Sequence, residues 1–220
     1  MLHAMSEYLE PYRRAVREFG PGFESLLWNS EESQRARFGA LAATVDLSDR
    51  TIADLGAGTG DLLAWLHGQG RAMRGYVAVE GVAELAERIR GRIDEEELPP
   101  SEVVEADFAR DEHLFERLID NHGVDLVFFS GSLNTFAEKL AKRVLERAWK
   151  ACTRRTVPRA ALAFNFLSDL RRDRARERGD PARRFDTLGL VRWAAERTPV
   201  FAVRHDYLGD HDATIVMHAR

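Results

Sequence analysis

From Thr51 onward, short apolar runs alternate with amphipathic stretches, and nothing else in the 220 residues limits the possible folds so strongly. The runs TIADL (51–55), GYVAVE (75–80), SEVVEAD (101–107), VDLVFFS (124–130) and RAALAFNFL (159–167) have strand length. VDLVFFS is almost wholly apolar, which suits a strand covered on both faces. Between them, stretches 59–69, 81–93, 112–122 and 137–152 repeat apolar residues at helical spacing, and 185–198 does the same. The last runs, 200–208 and 213–220, are joined by the polar Gly209-Asp210-His211-Asp212, which predicts an antiparallel hairpin. The whole predicts an α/β fold: a doubly wound, mostly parallel seven-strand sheet with an antiparallel C-terminal hairpin strand. Ligands on such sheets bind at the carboxyl ends of the strands, where strand order reverses. Residues following Leu55, Val79, Ala106 and Phe129 should therefore ring one crevice.

The first fifty residues read as helical. Tyr8, Tyr12, Ala15, Val16 and Phe19 form one apolar stripe, with Pro11 near the start of the helix or kinking it. FGPGF (19–23) breaks the pattern, which restarts behind Ser30 as helix cap, with Ser33 as a rival. Residues 1–50 are expected to form a helical lid and 51–220 the main domain, in one compact body.

The apolar fraction of 45% suffices for a full core without staples. A single cysteine, Cys152, cannot form an internal disulfide and fits a reducing compartment. No apolar run approaches the roughly 18 residues of a membrane span, and the charged start lacks a signal-peptide pattern. A cytoplasmic protein without a membrane partner is the expectation; oligomeric state is not legible. The net charge of −4 gives no reason to expect nucleic acid. One segment points the other way: Arg171–Arg184 carries seven arginines against Asp173, Glu177 and Asp180. It reads as a solvated loop, with a clamp for RNA or another polyanion as the alternative.

The turn after the first apolar run carries Gly56, Gly58 and Gly60, with Ala57 and Thr59 between them. Dinucleotide sites use GxGxxG; this spacing is GxGxG. Asp54, two residues before the first glycine, would repel a pyrophosphate but could pair with an ammonium. A zwitterionic, phosphate-free nucleoside fits better than NAD, and an NAD(P)-dependent oxidoreductase remains a weaker alternative.

DLGAGTG (54–60) resembles motif I of the class I, seven-strand, Rossmann-like S-adenosylmethionine-dependent methyltransferases, and the order of elements from Thr51 to the C-terminus is similar to theirs. The resemblance implies S-adenosyl-L-methionine as cofactor, held by Asp54, Gly56, Ala57, Gly58 and Gly60. It implies Glu80, with Gly81 beside it, on the ribose hydroxyls. It implies Asp107 on the adenine amino group, Phe108 bordering the ring, and Ser130 under the methionine part. Ser132 and Asn134 would stand near the methyl group; Asn134 would either accept from a substrate or cap a helix starting near Thr135. The family's Asn/Asp-Pro-Pro-aromatic motif, found in some enzymes acting on nucleic acids and proteins, is missing here. The implied activity is in-line methyl transfer to an oxygen or nitrogen of a small molecule, with a non-catalytic binding module as a further alternative. Trp28, Gln34 and Arg37 are lid residues that could contact substrate or a carboxylate. His205 and Tyr207 are candidate base or substrate contacts, and Asn165 is another. The His/Asp-rich stretch 204–212 lacks any metal-ligand spacing, so no metal is expected.

Overall fold

The computed structural model describes residues 7–154, 159–171 and 181–219. Its strands are β1 (Thr51–Leu55), β2 (Gly75–Glu80), β3 (Glu102–Glu105), β4 (Leu126–Ser130), β5 (Ala161–Ser168), β6 (Arg184–Phe185), β7 (Phe201–Arg204) and β8 (Asp212–His218). They lie in the order β3-β2-β1-β4-β5-β8-β7, with the two-residue β6 on the end of β5. The first five are parallel, and β8 runs antiparallel to both β5 and β7. The seven-strand plan is thus present with an eighth strand, β6, too short to leave a pattern in the sequence.

Helices α3 (Asp61–Gly68), α4 (Ala83–Glu95), α5 (Leu114–His122), α6 (Glu138–Cys152) and α7 (Thr187–Ala195) follow their strands and cover both faces. Period-two alternation sends neighbouring residues to opposite layers. Phe129 packs with Phe115, Trp149 and Phe164 in one core, while Phe128 packs with Phe38, Ile52 and Leu62 in the other. This is why β4 needs apolar residues at nearly every position. Cys152 ends α6 at 1% exposure, and burial pushes its thiol up to about 12. Among the described residues no helix is long and apolar enough to cross a membrane.

Ahead of the sheet come α1 (Glu10–Phe19), a short 3-10 turn (Phe23–Leu26) and α2 (Glu31–Thr44). Pro11 sits in the first turn of α1, where its missing N–H leaves no bond unmade. Ala15 and Val16 of the expected stripe are buried, but Phe19 is 56% exposed, because the helix ends there and Gly20 turns the chain away at φ 80. Ser30 caps α2, its hydroxyl accepting from the Ser33 N–H at 3.1 Å. Ser30→Ala should cost about 1 kcal/mol in urea denaturation.

Two local expectations are corrected. The β7–β8 connection spans residues 205–211 around a 3-10 turn (Leu208–Asp210), and Asp212 is the first residue of β8 rather than part of the turn. Asn134 caps no helix. Tight turns close Asn134 N–H onto Gly131 O and Phe136 N–H onto Leu133 O, which delays α6 to Glu138.

Candidate functional site

Strand order reverses between β1 and β4, and a cleft opens there at their carboxyl ends. Its floor is the glycine turn. Gly56 N–H and Ala57 N–H both donate to Val79 O, Gly58 N–H to Glu80 Oε2 at 2.8 Å, and Gly60 N–H to Ala57 O. These four donors are spent inside the protein, so the turn offers no ready cradle for a pyrophosphate. Gly58 has φ 61, and a Cβ there would lie 2.8 Å from Leu26 Cδ2. Glycine adopts that conformation without strain and lets Leu26 pack directly on the turn.

Asp54 is buried at the end of β1 and lines the cleft. Its Oδ2 accepts from the Tyr76 hydroxyl at 2.6 Å, while Oδ1 is buried with no hydrogen-bond partner. Burial raises this carboxyl to about 7, against the pull of the Tyr76 bond, and the charges of Glu80 and Asp61 add to the rise. Glu80, ending β2, is equally buried. Its Oε1 accepts from Gly81 and Val82 N–H, and its Oε2 from Gly58 N–H. Desolvation raises it to about 7 although those three bonds oppose the shift. With three of roughly four lone-pair positions filled, Oε2 retains one.

Asp107 follows β3. Its Oδ1 accepts from Ala109 N–H at 3.1 Å, and the Tyr8 hydroxyl lies 2.7 Å from both carboxylate oxygens. Phe108 beside it stacks on Phe136 at 5.6 Å between centroids and meets Phe129 edge-on. Tyr8 in turn stacks on Phe136 at 4.2 Å.

After β4, Ser130, Gly131, Ser132 and Asn134 also border the cleft. Gly131 has φ 66 and lies under the Trp28 ring, whose Cη2 would stand 2.6 Å from an added Cβ. The fully buried Asn165 on β5 fixes this turn by accepting from Gly131 N–H at 2.7 Å. Its own sequence position gave only a possible substrate contact. Ser132 Oγ donates to Leu55 O at 2.5 Å, and Asn134 Oδ1 accepts from Leu167 N–H at 3.3 Å. Thr135 Oγ1 is buried without a partner, and Thr135, Pro181 and Ala182 line the same cleft.

The lid residues divide. Trp28 and Gln34 line the cleft, Gln34 donating to Asp61 Oδ2 at 2.9 Å. Arg37 does not line it. Its guanidinium is buried against Asp212 Oδ1 at 2.6–2.7 Å and lies 4.4 Å from the centre of the Trp28 ring. His205 and Tyr207 also stand outside the cleft, on Ser168 Oγ and Thr214 Oγ1 respectively. His211 Nδ1 meets Asp212 Oδ2 and its Nε2 meets the Arg184 guanidinium Nη2, both at 2.8 Å. A guanidinium only donates, so Nε2 accepts and Nδ1 carries the proton. Of the arginine-rich segment, residues 172–180 lie outside the described residues. Arg184 donates to Ser168 O at 2.8 Å. Among the described residues no group of three His, Cys, Asp or Glu side chains is placed to hold a metal ion.

No protein-family model matches the chain, and no curated protein matches its sequence. Solved structures do match. An O-methyltransferase family protein from Burkholderia thailandensis is similar over 99% of this chain and 66% of its own, at TM-score 0.66 and 16% identity. The DhpI–SAH complex aligns over 98% of this chain and 97% of its own, at TM-score 0.63 and 16% identity. The mitomycin 7-O-methyltransferase MmcR aligns over 94% and 60%, at TM-score 0.58 and 19% identity. Strand order, the antiparallel β8 and these neighbours agree: the chain has the fold of the class I S-adenosylmethionine-dependent methyltransferases.

Proposed function

We propose that this protein is an S-adenosylmethionine-dependent methyltransferase acting on an oxygen or nitrogen of a small-molecule acceptor. The observation that carries the proposal is Asp54, a buried carboxylate among the residues of the cleft whose Oδ1 has no hydrogen-bond partner. An orphaned buried acceptor is costly unless a ligand completes it, and a cationic ammonium is the natural complement. The spent N–H groups of the glycine turn speak against a pyrophosphate and so against NAD. The spare lone pair on Glu80 suits a ribose hydroxyl, and Asp107 with Phe108 suits an aminated flat ring.

When bound, S-adenosylmethionine supplies an activated methyl group on a sulfonium. What remains for the protein is to align the acceptor and exclude water. The acceptor would enter past Asn134, Thr135, Pro181 and Ala182. That rim combines apolar surface with few hydrogen-bonding groups, which suits a small, largely apolar acceptor. Two of the similar structures are of proteins described as O-methyltransferases, which supports the acceptor class. His205 and Tyr207 take no part in this reading, and the region 1–50 serves as the lid to the 51–220 body.

Calorimetric titration with S-adenosylhomocysteine and with NAD, from pH 6 to 8, tests the proposal. Binding is expected for the first ligand and not the second. The ammonium needs Asp54 ionised, and that carboxyl titrates at about 7 in the free protein. Affinity should therefore rise with pH through 7, by up to about tenfold per unit below it. Preference for NAD, or no nucleoside binding at any pH, would overturn the assignment.

A further inference from the structure

The same cleft is filled from within. Four side chains of the strap formed by residues 7–28 stand at the places where the proposed nucleoside would lie. The Tyr8 hydroxyl is 2.7 Å from both oxygens of Asp107, and its ring stacks on Phe136 at 4.2 Å. Leu9 Cδ1 lies 3.3 Å from where a Cβ on Gly81 would be, next to Glu80. Leu26 covers Gly58 and Trp28 covers Gly131, the distances being 2.8 and 2.6 Å on the same measure. The free space left is about 90 Å³, whereas small-molecule sites run from roughly 300 to 1,000 Å³.

We propose that this strap is a built-in competitor of the nucleoside, with the Tyr8 phenol taking the place of adenine on Asp107. The chemical likeness is direct. A phenol is a flat ring with one donor at its edge, and that is what Asp107 and the Phe136 face would require of an adenine amino group. Burial and the Asp107 bond both push Tyr8 well above its ordinary value, so it stays a donor. A lid that only closes over a ligand would span the subsites. Tyr8 and Leu9 instead stand inside them, 6% and 8% exposed. The strap must withdraw before the nucleoside binds, so apparent affinity falls by the fraction of molecules already open.

The inference rests on the nucleoside site proposed above, and the test separates the two. Tyr8→Phe keeps the ring stack and removes only the bond to Asp107. Titrated with S-adenosylhomocysteine, it should bind about tenfold more tightly than the wild-type chain and associate faster. In the wild-type chain, amide exchange over residues 7–19 should speed up when S-adenosylhomocysteine is added, the reverse of ordinary ligand protection. Unchanged or weaker binding by Tyr8→Phe overturns the strap alone, as does protection of residues 7–19. Absence of binding to either chain overturns the nucleoside site and the strap with it.

Discussion

Asp54→Asn is expected to lose about 100-fold or more in affinity for S-adenosylhomocysteine while making the ligand-free protein more stable at pH 8. The first effect is the loss of a buried charge opposite an ammonium, a change that costs about 2–5 kcal/mol. The second follows from linkage. Burial raises the Asp54 carboxyl to about 7, above its value in an unfolded chain. The folded state therefore holds its proton longer. Its contribution to stability is complete below about pH 4 and is lost as pH rises through 7. At pH 8 the ionised, half-satisfied carboxylate weighs on the fold by about 2–4 kcal/mol, and asparagine removes that cost while keeping the shape. Thermal melts should show a clearly larger gain at pH 8 than at pH 5, because the loss runs progressively between about pH 4 and pH 7. Wild-type affinity in the variant would show that Asp54 is not the ammonium partner, and equal melting shifts at both pH values would show that burial does not hold its proton.

Asp212→Ala should destabilise the protein by about 3–5 kcal/mol, measured by urea denaturation. Arg37 and Asp212 form a buried ion pair, with side chains 5% and 0% exposed, that ties α2 to the start of β8. Removal of the carboxylate leaves a guanidinium buried with the Ser33 carbonyl and the Trp28 face as its remaining contacts. It also takes away the acceptor that holds the His211 proton. The companion variant Arg37→Met/Asp212→Ala should lose less than the sum of the two single changes, because no charge is then stranded. A cost below 1 kcal/mol for Asp212→Ala would mean that water reaches the pair.

The parallel sheet was legible because TIADL and VDLVFFS are pure burial signals, and the glycine turn because three glycines at alternate positions leave few conformations. What escaped the sequence was long-range or very short. Tyr8 reads as one more residue of an apolar stripe, and nothing near it announces a hydrogen bond to a side chain 99 positions away. Arg37 reads as a lid residue that could hold a ligand's carboxylate, and the carboxylate it holds is that of Asp212, 175 positions distant. Asp212 reads as turn chemistry because it stands among Gly209, Asp210 and His211, yet β8 begins on it. Asn134 reads as a cap because asparagine favours that place, but the backbone spends residues 131–136 on turns first. The residues of the proposed nucleoside site thus sit in local motifs, whereas the strap and the proposed acceptor rim depend on contacts that no local pattern encodes.

The burial of Cys152 gives the molecule its own gauge of integrity. Its thiol lies at the junction of α6 and β5, with Sγ 3.6 Å from Ala161 O, and titrates far above neutral pH. Alkylation requires the thiolate, and so proceeds only from molecules in which that junction has opened. When reclosing is fast, the labelling rate is proportional to the population of the open form. One sulfur atom thereby counts opened molecules directly, and does so in the same buffer in which ligand binding is measured.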